Sequence, residues 1–341
     1  HTDYNEGFVL PAALELRVVI GGRRGKRIRL RSAARGTTVE VDPGSGDGPA
    51  RGWGRYVAAV VRSLQDAHVG VRGIDGVVAS DLPLGTGLSS SAALEVAVAL
   101  AIADEPIGAV ELARICQHAE NRYVGVQSGI MDPLVSAAGV AGAALLIDCR
   151  SLDIRSVSLP GDLRLMVIDS GERRELRSAG YNDRRRECEE AARLLGVRSL
   201  RDVSPEDVAR AALPEPIGSR ARHVVTENER VLATVAAFAA DDRRRIGELF
   251  AASHASLATD FAVSTPALDA LVEIAAGTAG VVAARMTGGG FGGCTVNLVE
   301  ADEAESALRD IVTAYKRRTG TRARGWISRA SAGALSAWGG A

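Results

Sequence analysis

Pro83-Leu84-Gly85-Thr86-Gly87-Leu88-Ser89-Ser90-Ser91-Ala92-Ala93-Leu94-Glu95 decides how this chain is read. An apolar segment, Gly76 to Ala79, leads into it, and an alanine-rich segment runs on to about Ala103. Ala93, Val96, Ala97, Val98, Leu100, Ala101 and Ile102 leave almost no polar face, so a buried core helix is expected. Serines at its start are expected to satisfy free N–H groups of the first turn. The same helix end carries partial positive charge and free donors, which suits an anion. Gly85 and Gly87 let the backbone wrap closely around a ligand. A tight turn before an ordinary capped helix is the plain alternative, but three hydroxyls in a row exceed what one cap uses. The expectation is therefore a phosphate-binding loop. No G-x-x-x-x-G-K-S/T occurs, and the only lysines, Lys26 and Lys316, are not near a glycine loop of that form. Backbone N–H groups and serines must do most of the holding.

Composition bounds the rest. A chain of 341 residues has room for two domains. It is 46% hydrophobic and 24% charged, an ordinary soluble globular profile. A net charge of −1 argues against a general nucleic-acid binder, so no nucleic-acid partner is expected. No apolar run approaches the roughly 20 residues needed to span a membrane. No basic segment followed by a compact apolar one opens the sequence, so no signal peptide is expected. Cys116, Cys149, Cys188 and Cys294 form no C-x-x-C pair. They read as reduced thiols of a cytoplasmic protein, and a metal–thiolate site is not expected.

Along the chain, Ala12 to Arg31 alternates in places, and Arg27-Ile28-Arg29-Leu30-Arg31 puts three arginines on one strand face. This reads as the solvated face of a hairpin, with an anionic partner as the sharper alternative. Asp42 to Pro49 is a loop by composition. A helix is expected from Trp53 to about Gln65, with Trp53 and Tyr56 on one face. Another is expected over Val110 to Glu120. On local chemistry, Glu120 reads as an exposed helix acid, and Asp132 as a helix N-cap ahead of Pro133. Ala143 to Asp148 and Leu163 to Ser170 read as apolar strands. Ala179 to Glu189 reads as a charged helix start, and Asp241 to His254 as a further helix. Arg285-Met286-Thr287-Gly288-Gly289-Gly290-Phe291-Gly292-Gly293-Cys294 holds five glycines in six positions. Such a turn is entropically costly unless a close backbone approach is needed. The tail past Ile327 reads as a short strand with a loose end.

The glycine-serine stretch resembles the phosphate loop of the GHMP small-molecule kinases. Three further segments resemble that family. His1-Thr2-Asp3-Tyr4-Asn5-Glu6-Gly7-Phe8-Val9-Leu10-Pro11 is similar to the sugar-binding signature of its galactokinase branch. Ala119 to Asp132, A-E-x-x-x-x-G-x-x-x-G-I-M-D, looks like the segment with the metal-ligand Glu and the catalytic Asp. Met286 to Gly293 resembles the third family motif. The resemblance implies a two-domain α+β fold: a ribosomal protein S5 domain 2-like N-terminal domain over 1–160 and a ferredoxin-like C-terminal domain over 161–341. It implies an active site between them.

It also implies roles. Gly85, Gly87, Leu88, Ser89, Ser90, Ser91, Gly289 and Gly290 would hold ATP, with Trp53 and Tyr56 lining the adenine pocket. Ser91 and Glu120 would hold Mg²⁺. Asp132 would be the general base. His1, Asp3, Gly129, Asp132 and Tyr181 would place galactose. The implied enzyme is a cytoplasmic monomer that phosphorylates the anomeric hydroxyl. Departures from the family pattern are Ser128 for a frequent Cys, Pro133 for a common Gln, and Arg174 for a usual His. In the family a strand carrying an Arg, and a Glu just before the His, precede the signature. The sequence begins at His1, and a shorter chain with an unpaired sheet edge is the expectation from that. A kinase for a related sugar, and an impaired relative that binds sugar and ATP, stay open as alternatives.

Overall fold

The computed structural model describes residues 1–83, 87–172 and 177–338. Gly85 therefore lies outside the described residues, as do Arg174 and the end of the tail. In chain order the regular elements are β1 (Phe8–Val9), β2 (Val18–Gly25), β3 (Ile28–Ser32), β4 (Thr38–Val41), α1 (Gly54–Asp66), β5 (Gly73–Ser80), α2 (Ser90–Ile102), α3 (Ala109–His118) and α4 (Met131–Ala138). Then come β6 (Ala143–Asp148), β7 (Ile154–Ser158), β8 (Leu163–Asp169), α5 (Arg177–Leu195), α6 (Pro205–Ala211), α7 (Ile217–Ala239), α8 (Arg243–Thr259) and α9 (Pro266–Ala276). The chain closes with β9 (Val281–Met286), β10 (Cys294–Glu300), α10 (Ala304–Thr319), β11 (Arg324–Ser328) and α11 (Ala334–Trp338). It divides into two compact units. One takes in residues 13–83, 89–139 and 332–338; the other takes in 1–12, 87–88 and the described part of 140–331.

The first unit is built on a four-stranded sheet in the order β2-β5-β3-β4. Alternation works as expected in β3: Ile28 and Leu30 are buried, while Arg29 and Arg31 are exposed. β3 forms its hairpin with β4, however, and not with β2. β5 lies between β2 and β3, antiparallel to the first and parallel to the second. The turn Lys26-Arg27 must therefore pass the end of β5. Gly73 stands there because a Cβ would overlap the Gly25 carbonyl oxygen. The arginine face is solvated as expected, and Asp75 on β5 faces Arg23 and Arg29 across it at 3.4 Å in exposed ion pairs. Helix α1 buries Val57, Val60, Val61 and Leu64 completely against this sheet's core. Burial of each such side chain contributes about 1.5–3 kcal/mol.

The second unit holds a three-stranded antiparallel sheet, β1-β6-β7, and a four-stranded antiparallel one, β11-β8-β10-β9. In the latter the chain runs β8, α9, β9, β10, α10, β11, so its strands stand in the ferredoxin-like order 4-1-3-2. The helices α5 to α8 are inserted after the first strand. Helices α9 and α10 share one core with the sheet through Met166, Ile168, Leu271, Ile311 and Tyr315. Helices α5, α7 and α8 share another with Met286. The tail is not a loose strand end: after β11 it forms helix α11, which packs on α4.

His223 on α7 is buried between the Ser256 hydroxyl, 2.9 Å from Nδ1, and the Phe261 ring. Burial lowers its pKa from 6.5 to about 3. The unfolded chain thus takes up this proton below pH 6.5, and the fold refuses it until about pH 3. The stability this histidine allows is complete above pH 6.5 and drains as pH falls toward 3. The slope is up to about 1.4 kcal/mol per pH unit. Denaturant midpoints between pH 7 and pH 4 are expected to fall less steeply in His223→Gln than in the parent. Equal slopes would remove His223 as the source.

Candidate active site

In the first unit the serines open α2, but not as ordinary caps. Ser89 is the N-cap and adopts a left-handed conformation, φ 51° and ψ 36°, and its hydroxyl makes no cap hydrogen bond. The expected capping of the first turn by serine is therefore not seen. A β-region backbone is what aims a cap side chain back at the N–H groups, and Ser89 lacks it. Ser90 and Ser91 are half-buried on the first turn.

One turn on from Ser91 stands Glu95, only 1% exposed, whose Oε1 has no partner among the described residues. Burial, reinforced by the charge of Glu120, holds its carboxyl well above the ordinary range. Glu120 is 9% exposed and receives the Ser128 hydroxyl. It sits in a π-helical turn, Ala119–Val124, that continues α3. Irregular turns of this kind are frequent at functional sites. The buried thiol of Cys116 is pushed up by burial and by both acids, so it stays protonated and inert.

Asp132 is half-buried in the first turn of α4, which packs against α2. It is not the N-cap; Ile130 is. Gly129 is buried just before it. Trp53 precedes α1 and donates from its indole to the Thr37 hydroxyl at 3.1 Å. Tyr56, half-buried, lies under the Arg55 guanidinium.

In the second unit the opening segment and the glycine turn meet. Asp3, 9% exposed, starts a 3₁₀ turn and accepts the Tyr4 N–H at 2.8 Å. Burial raises the Tyr4 phenol well above its usual pKa, so it keeps its proton. Its hydroxyl shares a hydrogen bond with His1 Nδ1, 2.8 Å away. His1 Nε2 lies 3.2 Å from the Gly289 carbonyl, which only accepts, so Nε2 carries a hydrogen and donates it. Tyr181 packs on both: its ring centroid is 5.2 Å from that of His1, and a Cβ on Gly289 would stand 3.0 Å from its ring. Gly288 backs onto Gly87, since its Cβ would lie 2.7 Å from the Gly87 carbonyl oxygen. Gly290 is left-handed, and its Cβ would overlap the Val263 carbonyl. The third motif and the glycine before the serines are thus backbone neighbours.

The proposed site residues fall into two groups. His1, Asp3, Tyr181, Gly87, Leu88, Gly289 and Gly290 lie in the second unit. Trp53, Tyr56, Ser89, Ser90, Ser91, Glu120, Gly129 and Asp132 lie in the first. Sequence reading passed over Glu95, although its place four residues after Ser91 puts both on one helix face. Among the described residues no helix is long and apolar enough to cross a membrane.

Family models agree with this architecture. The GHMP kinases N-terminal domain matches residues 55–140, and the GHMP kinases C-terminal model matches residues 234–317. The galactokinase galactose-binding signature matches residues 1–24. A mevalonate kinase structure shares the fold, with a TM-score of 0.60 at 16% identity over 96% of this chain and 94% of that one.

The similarity is much greater to one branch. A galactokinase of Roseiflexus sp. is 45% identical over 98% of this chain and 88% of its own length. One of Actinobacillus succinogenes is 42% identical over 98% and 90%. A Lactococcus lactis galactokinase structure, complexed with galactose, superposes with a TM-score of 0.91 at 32% identity, covering 98% of this chain and 90% of that one. The chain belongs to the galactokinases, sugar kinases of the GHMP family.

Proposed function

We infer that this protein transfers the γ-phosphoryl group of ATP to the anomeric hydroxyl of α-D-galactose, giving galactose 1-phosphate and ADP. The observation that carries this reading is the galactose-binding signature at His1 to Arg24 within a chain alike throughout to galactokinases. Asp132 takes the proton of the anomeric hydroxyl as that oxygen attacks the γ-phosphorus. The bond from phosphorus to the β–γ bridging oxygen breaks, and ADP leaves with the electron pair. Such a transfer depends mainly on positioning and charge neutralisation.

The amides and hydroxyls from Gly87 to Ser91 hold the phosphates, and the α2 dipole favours their charge. Trp53 and Tyr56 offer aromatic faces for a purine. His1, Asp3, Gly129 and Tyr181 orient the sugar. For His1 to meet a sugar hydroxyl, one of its two present hydrogen bonds must be exchanged. The donor set suits Mg²⁺: an almost buried carboxylate, Glu120, and a hydroxyl, Ser91, beside the buried unpartnered oxygen of Glu95. Mg²⁺ takes few protein oxygens and completes its shell from phosphate and water. When bound it would neutralise charge on the transferred group. The four cysteines are free thiols, which fits a cytoplasmic location.

ADP release measured over a panel of galactose, 2-deoxygalactose, galactosamine, N-acetylgalactosamine and glucose tests the reading. Phosphorus NMR of the product identifies the phosphorylated position. Galactose is expected to give the highest kcat/KM, with an anomeric phosphate. Preference for another sugar, or sugar and ATP bound without product, would overturn it.

A further inference from the structure

Strand β9 is the edge of the ferredoxin-like sheet, so among the described residues its outward backbone groups have no strand to bond. At its last residue, Met286, side chains take them. His254 Nδ1 on α8 accepts the Met286 N–H at 3.3 Å, and Arg285 Nε donates to the Met286 carbonyl at 3.0 Å. Because Nδ1 accepts, the ring hydrogen is on Nε2, which faces Asp269 Oδ1 of α9 at 3.2 Å. Burial lowers the His254 pKa, against the pull of Asp269, which keeps the ring neutral and able to accept. Arg285 is itself held, its Nη1 lying 3.1 Å from the buried Glu227 carboxylate. Glu227 also takes Arg230 and the Ser253 hydroxyl. The chain passes from Met286 straight into the glycine turn. There Gly288 meets Gly87, and the Phe291 N–H bonds the Val263 carbonyl at 2.7 Å.

We propose that His254 is a positioning residue for phosphoryl transfer: by accepting the Met286 N–H it fixes where β9 leaves the sheet, and so sets the glycine turn against Gly87. The proposal rests on the reading of the site as a nucleotide-dependent kinase. It assigns His254 no contact with sugar or nucleotide. A displaced turn would shift the backbone next to the phosphate loop, which costs affinity and rate without unfolding the unit.

Three variants test it: His254→Ala, His254→Asn and Asp269→Ala. Asparagine keeps an oxygen near the place of Nδ1. Asp269→Ala frees the ring to put its hydrogen on Nδ1, where it can no longer accept. Melting temperature, binding of a non-hydrolysable ATP analogue, and kcat/KM for galactose are measured on each. His254→Ala is expected to weaken nucleotide binding about tenfold and to lower kcat/KM about 10- to 100-fold. His254→Asn is expected to recover to within about threefold of the parent at the same melting temperature as the alanine variant. Asp269→Ala, at a half-exposed side chain, is expected to lose about three- to tenfold, and it serves if His254→Ala does not fold. Equal losses in the alanine and asparagine variants, or losses that follow melting temperature alone, overturn the proposal. So does a parent-like Asp269→Ala. A parent protein inactive on every sugar would refute the kinase reading by itself, while nucleotide affinity would still report on His254.

Discussion

Asp132→Ala is expected to lower kcat by about 10²- to 10⁴-fold, the usual worth of a positioned general base. Nucleotide binding is expected to change by less than about threefold, because the serine-bearing end of α2 is a separate element from the first turn of α4. The side chain is half-buried at a helix start, so truncation leaves no large cavity. Loss of turnover should therefore appear without matching loss of melting temperature. Single-turnover phosphoryl transfer with saturating galactose and ATP isolates the chemical step. Near-parental rates in a folded, ATP-binding variant would take Asp132 out of the base role.

The second large effect is expected at Gly290. Its φ of +78° is left-handed, and a side chain there would run into the Val263 carbonyl. Two costs then add. An L-residue in this backbone region costs about 1–2 kcal/mol, and the overlap forces the turn or the Val263 segment to shift. Gly320 separates the two terms. It has φ +75°, but nothing within 4 Å of its would-be Cβ. Gly320→Ala should show the conformational cost alone, about 1–2 kcal/mol. Gly290→Ala should exceed it by about 1–3 kcal/mol and lower kcat/KM at least about tenfold, since the same turn lies beside Gly87 and His1. Chemical denaturation of both variants checks the difference; equal destabilisation would mean that the Val263 carbonyl yields freely.

Much of this was legible in the chain. The buried helix α2 follows from composition alone, because an alanine-rich segment without a polar face has nowhere to go but the core. The edges of β6 and β8 follow from apolar runs bounded by turn residues. Strand neighbours were a different matter. Alternation at Ile28 and Leu30 tells which side of β3 is buried, but says nothing of what pairs beside it. Hence β5 stands between β2 and β3, and the hairpin of β3 is with β4. The π-helical turn at Glu120 was hidden too, since a few residues of spacing cannot separate it from a continued α-helix. Ser89 reads as a cap by residue type, and only its backbone angles show otherwise. The support beneath the third motif joins Glu227 to Arg285 across 58 residues, and His254 to a backbone amide. Pairings of that kind leave no local pattern.

The place of β5 also bears on synthesis. Residues 18–32 emerge from the ribosome well before residues 73–80, yet β2 and β3 can join only through the later strand. A nascent chain ending before Gly73 therefore carries β2 and β3, tied by the Lys26-Arg27 turn, without the strand that hydrogen-bonds to both, and closing β5 against them must span β4 and α1. The β3–β4 pair can close locally, but the sheet as a whole is expected to complete only once β5 is available. The glycines at the crossing point are what let the latecomer slide into the middle.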